Sequence, residues 1–274
     1  MNLFRFRKLS GIISIGLIFG SGFLLSEPVI AGEPVIAIII DDIGWRKQDD
    51  LHALDLPGAL TYSVLPQTPN ATFMAERAHE KGKEVMLHIP MEATINNHLL
   101  GPGALTSDMS QEEFIETIEA NFKSVPNAVG INNHMGSLLT THELSMHRLM
   151  NALQRPNAPF FIDSKTTNTS MPSDTAELYG IANTRRDVFL DHEQDSESII
   201  NQFKKLVSIA KTKGSALAIA HPHPDTVETL DYLLSNIEDY GVKLITITEF
   251  MEYRNKGSFQ WQTSSSPSLT AVKN

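Results

Sequence analysis

The chain has 274 residues, of which 41% are apolar, and it carries a formal net charge of −10 with no cysteine. This length suits one large α/β domain or two small ones. The lack of cysteine excludes disulfides, thiolate metal sites and cysteine nucleophiles, and the acidic balance argues against electrostatic binding to nucleic acid. Any transition metal must therefore be held by histidine, aspartate or glutamate.

The amino terminus has the layout of a secretory signal. Basic residues within the first eight positions precede an apolar run over residues 12–25, and Val29 and Ala31 suit positions −3 and −1 of a cleavage site. We expect cleavage after Ala31, a periplasmic mature chain and no stable insertion in the membrane. The alternative is an uncleaved anchor, although the apolar run is shorter than the roughly 20 residues that a spanning helix needs.

An apolar, mostly β-branched run over residues 35–40 ends abruptly in Asp41 and Asp42. Apolar side chains on both faces of a strand are typical of parallel sheets that are covered on both sides. Ligand and metal sites in such folds lie at the carboxyl ends of the strands. The two acids either cap the following turn or helix, or form an active-site pair in which one binds metal and the other transfers protons.

Strand and helix patterns then alternate about seven or eight times, which predicts a parallel sheet with crossover helices. Residues 196–213 have the apolar spacing of an amphipathic helix, and Ser110 with Glu113 forms a capping box at the start of another. We expect one domain over residues 32–253. The polar, serine-rich residues 254–274 have no periodicity and predict a disordered tail.

Ionisable side chains follow several of the predicted strands. His88, His134, Asp163 and His221 each stand at the carboxyl end of a different strand. Periodicity alone does not distinguish a closed barrel from an open sheet. In a barrel these strand ends would share one rim, so their side chains could converge on one cation.

Asp42, His88 and His134 supply one oxygen and two imidazole nitrogens, which is the number of protein ligands in a catalytic zinc site. A metal held there would lower the pKa of a bound water and polarise a carbonyl oxygen. Asp41 would take a proton from that water, and His221 or His223 would protonate the leaving group. This chemistry suits hydrolysis of an amide or an ester.

Two further pairs stand near the predicted rim. Asp163 and Ser164 either bind substrate hydroxyls or orient a catalytic group, or they cap a turn. Arg186 and Asp187 are expected to form a structural ion pair.

The chain resembles the divergent polysaccharide deacetylases, a branch related to the NodB-like deacetylases of carbohydrate esterase family four. The resemblance implies a distorted (β/α) barrel of seven or eight parallel strands with a divalent metal, usually zinc. It also implies a base at Asp41, a metal ligand at Asp42 and a general acid at His221. Seven motifs carry the resemblance, in order from residue 39 to residue 223: Ile39-Ile40-Asp41-Asp42-Ile43-Gly44, Leu87-His88-Ile89-Pro90-Met91-Glu92, Gly101-Pro102-Gly103-Ala104-Leu105, Asn132-Asn133-His134-Met135-Gly136-Ser137, Phe161-Ile162-Asp163-Ser164, Arg186-Asp187-Val188-Phe189-Leu190-Asp191 and Ala220-His221-Pro222-His223.

One departure concerns the ligand set. The better-known branch has two histidines four residues apart after its third strand, whereas His88 is followed at that offset by Glu92. We infer that His134 supplies the second imidazole. Glu92 is the alternative ligand, or a partner that orients His88. The residues expected to contact substrate are Glu92, Asn133, Asp163, Ser164 and His223.

Together these features predict an exported, metal-dependent hydrolase that deacetylates N-acetylated sugars of an envelope polysaccharide or peptidoglycan. One alternative is a non-catalytic envelope protein that binds a glycan or a partner, with a structural metal. Another is a metal-dependent amidase that uses the same site on peptide stems.

Overall fold

The computed structural model describes residues 32–154 and 159–264, with side chains through residue 255. The predicted signal segment, residues 1–31, lies outside the described residues. In the described part of the chain, no helix is both long and apolar enough to cross a membrane.

Nine parallel strands and eight α-helices make up the described domain. The strands are β1 Val35–Ile43, β2 Thr61–Val64, β3 Glu84–Met91, β4 Ala128–Met135, β5 Phe160–Asp163, β6 Asn183–Arg185, β7 Val188–Phe189, β8 Ser215–Ala220 and β9 Lys243–Leu244. The helices are α1 Lys47–Leu54, α2 Ala71–Glu80, α3 Gln111–Ser124, α4 Glu143–Leu153, α5 Pro172–Leu178, α6 Ser196–Lys213, α7 Pro224–Ser235 and α8 Ile247–Ser264.

The sheet curls into a distorted barrel that the chain itself closes. Its strand order is β6-β5-β4-β3-β2-β1-β8-β7, with β9 paired to β1. The two outermost strands, β6 and β7, are separated in the chain by Arg186 and Asp187 alone. The Arg186 N–H donates to the carbonyl of Asp163, and the Asp187 N–H donates to the carbonyl of Leu217 on the other side. The predicted fold class, an α/β distorted barrel of parallel strands, is confirmed.

The barrel interior is apolar at its amino end. Val35, Ala37 and Ile39 of β1 belong to an interior cluster, whereas the alternate isoleucines of the same strand pack in the larger core. This division follows from the two-residue period of a strand. The interior cluster is completed by side chains from β3, β5, β8 and α8, including Met86, Ile162, Leu217, Ile219 and Phe250.

Helix α8 corrects the prediction of a tail from residue 254. Residues 254–264 continue the helix, whereas residues 265–274 lie outside the described residues. The guanidinium of Arg254 donates to Asp187 at 2.8 Å and to the hydroxyls of Thr184 and Ser215. It also lies 4.5 Å from the centre of the Phe250 ring. These tertiary contacts anchor a helical turn that its own sequence pattern does not indicate.

Two helices have the ends that the sequence predicts. Helix α3 begins with the capping box, in which Ser110 accepts the Glu113 N–H and the Glu113 carboxylate accepts the Ser110 N–H. Helix α6 spans Ser196–Lys213 and ends at Gly214, whose φ of 85° needs the freedom of glycine.

Candidate active site

Three strands that line the interior carry a polar residue at or near their carboxyl ends. Asp41 lies two residues after Ile39, His88 two after Met86, and His221 two after Ile219, so each keeps the interior-facing parity of its strand. Asp41 and His88 are almost completely buried. The parallel strands therefore deliver a carboxylate and two imidazoles to one end of the barrel.

A backbone irregularity brings both acids of the Asp41–Asp42 pair to this end. The pairing of β1 with β2 shifts register between Ile40 and Ile43, and Asp42 has a φ of 62°. Neighbours on a regular strand point to opposite faces. Here Asp41 Oδ2 lies 3.6 Å and Asp42 Oδ1 lies 3.2 Å from the same atom, His88 Nε2. A left-handed backbone at a residue other than glycine costs about 1–2 kcal/mol, and such strain clusters at functional sites.

Asp42, His88 and His134 converge as potential metal ligands. Asp42 Oδ1 is 2.8 Å from His134 Nδ1 and 3.2 Å from His88 Nε2. One ligand atom from each of the three residues lies within 4.8 Å of the other two. Among the described residues, Asp42 Oδ1 is also buried without a hydrogen-bond partner. A buried carboxylate oxygen that faces two ring nitrogens without a hydrogen bond is chemically suited to a cation.

Asn132 determines which nitrogen of His88 carries the proton. Its Nδ2 donates to both oxygens of Asp41, at 2.8 and 3.0 Å. Because a carboxylate accepts, the amide must turn its Oδ1 towards His88 Nδ1, 2.8 Å away. His88 Nδ1 therefore donates, which leaves Nε2 as the nitrogen that the neutral ring would offer to a metal beside Asp42. An outer hydrogen bond of this kind is the usual partner of a metal-binding imidazole.

These distances fit the donor set of a divalent ion. Two atoms that each bind zinc at about 2.0–2.2 Å lie roughly 3 Å apart, as Asp42 Oδ1 does from each imidazole nitrogen. One carboxylate and two neutral imidazoles are also common zinc ligands. Asp42, His88 and His134 would hold the ion.

The two adjacent acids differ in their electrostatics. Burial raises the pKa of Asp41, although His88 and His221 act to lower it. Burial also opposes ionisation of Asp42, but the imidazoles of His134 and His88 outweigh it and hold the pKa of Asp42 well below its usual range. One acid is thus suited to accept a proton and the other to remain a ligand.

His221 is oriented by a carboxylate that the sequence did not assign. Its Nδ1 donates to Asp191 Oδ1 at 3.1 Å, and its backbone N–H donates to Asp191 Oδ2 at 2.6 Å. Burial lowers the pKa of His221, but the hydrogen bond to Asp191 and the nearby charges of Asp42 and Asp41 outweigh it and raise the pKa to about 9. His221 Nε2 remains 3.9 Å from Asp42 Oδ2.

Asp191, His221 and His223 form a second group with potential ligand atoms. Both oxygens of Asp191 already accept hydrogen bonds, including one from the hydroxyl of Thr226 at 3.1 Å. His223 Nε2 lies 3.2 Å from the amide nitrogen of Gln194. We therefore interpret Asp191 as the residue that positions His221.

Two cavities open at this end of the barrel and meet at the cluster. The first, of about 440 Å³, is lined by both acids of the pair and extends to Lys165 and Arg186. The second, of about 250 Å³, extends to Trp45 and Leu99. Both are lined by Asp42, His134 and His221.

The other predicted substrate residues are placed differently. Ser164 and Asn133 line the first cavity, and His223 lines the second. Asn133 also ties β4 to β5, because its Oδ1 accepts the Ser164 N–H at 2.9 Å. Asp163 is buried below the rim, where it accepts the Lys165 N–H and the hydroxyl of Ser170.

The structure does not bring Glu92 to the ligand cluster. Its carboxylate accepts the backbone N–H of Ser107 at 2.7 Å, and its backbone carbonyl accepts two amides of the segment after β4. Glu92 thus holds two loops together, and His134 occupies the place beside Asp42.

The predicted ion pair between Arg186 and Asp187 is wrong. Asp187 pairs with Arg254, whereas Arg186 donates to the carbonyls of Ser164 and Lys165. Arg186 and Asp187 are adjacent in the chain, but their backbones bond to different strands. Arg186 bonds to the end of β5, whereas Asp187 bonds to β8.

Residues 38–251 match the family model of the divergent polysaccharide deacetylases, and the chain belongs to that family. It is 39% identical over 221 residues to the uncharacterised protein YibQ of Escherichia coli K12, a match that covers 81% of this chain and 68% of that protein. It is 31% identical over 204 residues to an uncharacterised protein of Haemophilus influenzae Rd, covering 74% of this chain and 72% of the other.

A solved structure shows the same fold. The uncharacterised protein ATU2773 of Agrobacterium tumefaciens C58 matches with a TM-score of 0.76 at 19% sequence identity. The match covers 80% of this chain and 89% of that one.

Proposed function

We propose that the protein is an exported, metal-dependent hydrolase that deacetylates N-acetylated sugars of an envelope polysaccharide or peptidoglycan. The observation that carries this proposal is the convergence of Asp42, His88 and His134 beside the buried Asp41. Membership of the family supports the substrate class, and the signal-like amino terminus supports export. Zinc is the metal that we propose, since two imidazoles and one carboxylate suit it.

When bound, the metal polarises the acyl oxygen and lowers the pKa of a water molecule. Asp41 takes the proton of the attacking water, and its carboxylate is held for this by the two hydrogen bonds from Asn132. The buried setting that raises the pKa of Asp41 makes it a stronger base than an exposed aspartate.

His221 provides the second proton transfer. As the bond between the acyl carbon and nitrogen breaks, protonated His221 donates from Nε2 to the departing nitrogen, which leaves as an amine beside acetate. Asp191 holds the ring through Nδ1 and stabilises its charged form. A histidine that is protonated at neutral pH is ready to act as an acid.

Acetate release from a panel of N-acetylated glycans tests the proposal. We expect Asp41→Asn to lower turnover about 10³-fold with zinc still bound, and His88→Ala to lose both zinc and activity. His79→Ala, on the exposed face of α2, is the matched control and should change neither. Full activity of both site variants on every substrate cleaved by the native protein would refute the assignment.

Bound zinc without acetate release from any glycan would instead support a non-catalytic binding protein. Export is tested separately, by sequencing the amino terminus of the mature protein, where we expect Gly32.

A further inference from the structure

Two cations line the cavity that leads to the candidate active site. Lys165 follows β5 and Arg186 lies between β6 and β7, and both border the cavity that contains Asp41 and Asp42. Within the described residues, neither cation forms an ion pair with a carboxylate. Unpaired cations in a cavity are notable in a chain whose net charge is −10.

The guanidinium of Arg186 is held in place by neutral groups. Its Nε donates to the carbonyl of Ser164 at 2.8 Å, and its Nη2 donates to the carbonyl of Lys165 at 3.1 Å. The group lies 4.8 Å from the centre of the Phe189 ring. These contacts fix the position of the charge without neutralising it.

Lys165 adopts a backbone conformation that lysine rarely takes. Its φ is 53°, and its N–H donates to Asp163 Oδ1 at 2.8 Å. Glycine or asparagine would occupy this position with less strain. The ammonium makes no hydrogen bond to any other described residue. The strain is therefore maintained at a position whose side chain makes no polar contact within the fold, which suggests a functional role.

The charged groups around the first cavity leave a net positive charge there. Asp41 and Asp42 together offset one divalent ion. The buried Asp163, whose charge also acts on Arg186, offsets one of the two cations, so one positive charge remains beside the cavity. The second cavity differs, because its cation, Arg46, is paired with Asp49. Its lining also includes the exposed indole of Trp45 and the apolar side chains of Leu65 and Leu99. A substrate whose acyl group lies at the shared residues can therefore present an apolar face to Trp45 and a negative group to Lys165.

We propose that the substrate carries an anionic group, a carboxylate or a phosphate, that binds to Lys165 and Arg186 beside the acyl group to be removed. This inference rests on the proposed function and adds a charge requirement to its substrate. The guanidinium and ammonium are the groups that commonly bind these anions.

The test measures binding of amino sugars that lack an acetyl group and are therefore not consumed. Muramic acid is compared with its methyl ester, and glucosamine 6-phosphate with glucosamine, by calorimetry on the zinc-loaded protein. We expect at least one anionic sugar to bind about tenfold more tightly than its neutral counterpart. The pair that shows the preference identifies carboxylate or phosphate, and the preference should weaken with added salt.

Lys165→Gln removes the charge without removing a polar contact between described side chains, and we expect it to abolish the preference. Lys204→Gln, on the exposed face of α6, is the control and should retain it. Equal affinities within both pairs, the absence of binding, or a preference that survives in Lys165→Gln would overturn the inference. Acetate release from N-acetylmuramic acid and from its methyl ester, measured in parallel, reports on the proposed function independently of this result.

Discussion

The Asp191 carboxylate accepts two hydrogen bonds from His221, one from the imidazole Nδ1 at 3.1 Å and one from the backbone N–H at 2.6 Å. The second bond fixes the carboxylate relative to the end of β8, so the first can fix the ring. This pair connects the fold to the proton transfer that we assign to His221.

Replacement of Asp191 by asparagine should move the pH dependence of turnover. The Asp191 carboxylate raises the pKa of His221, so its loss lowers that pKa and deprotonates the acid at lower pH. We expect the alkaline limb of the kcat profile to shift to lower pH, and turnover at pH 8 to fall about tenfold to a hundredfold. Asp225→Asn, an exposed neighbour on α7, should leave the limb in place. An unmoved limb in Asp191→Asn would show that His221 is not the acid.

The contact between His221 and Asp191 also predicts how the stability of the metal-free protein varies with pH. The folded pKa of His221 is about 9, against 6.5 for an ordinary histidine. A raised folded pKa stabilises the protein fully below pH 6.5, and this stabilisation is lost as the pH rises through about 9. The shift corresponds to about 3 kcal/mol.

Denaturant unfolding at pH 6 and pH 10 measures this loss. His88 contributes with the same sign, because its carboxylate neighbours also raise its pKa against the effect of burial. The difference between the wild type and Asp191→Asn therefore isolates the His221 contribution. Identical pH dependence in the two proteins would contradict the assigned coupling.

Asn132 should influence metal binding without touching the metal. Asn132→Leu removes the acceptor for His88 Nδ1 and the donor for Asp41. We expect zinc affinity to fall about 10–100-fold, the usual effect of losing such an outer partner, and the free energy of unfolding to fall by about 1–3 kcal/mol. Ser63→Ala removes only the hydroxyl that bonds Asn132. Zinc affinity that falls equally in both variants would contradict a specific role for Asn132.

The sequence predicted those parts of the fold that local signals specify. The β1 run, the capping box of Ser110 and the apolar stripe of α6 were each confirmed, because patterning and capping chemistry determine them within one element. It did not predict β6 as a strand of the sheet, because Asn183–Arg185 is polar and becomes a strand only by pairing with β5. Strand β7 is short, Val188–Phe189, for a related reason: the chain changes partner at Arg186.

The candidate site shows a similar division. The positions of His88, His134 and His221 at strand ends follow from the alternation of strands and helices. The role of Asn132 does not, because a buried asparagine in a strand has no sequence signature that separates a positioning residue from a packed one. Only the register shift beside Asp42 explains how two consecutive acids reach the same imidazole.

Zinc soaked into crystals of the protein and located by anomalous scattering tests the central claim most directly. We predict one ion bound by Asp42 Oδ1, His88 Nε2 and His134 Nδ1, with Asp41 and His221 beside it but not among its ligands. An ion bound elsewhere, or the absence of an ion from this cluster at saturating zinc, would contradict the account.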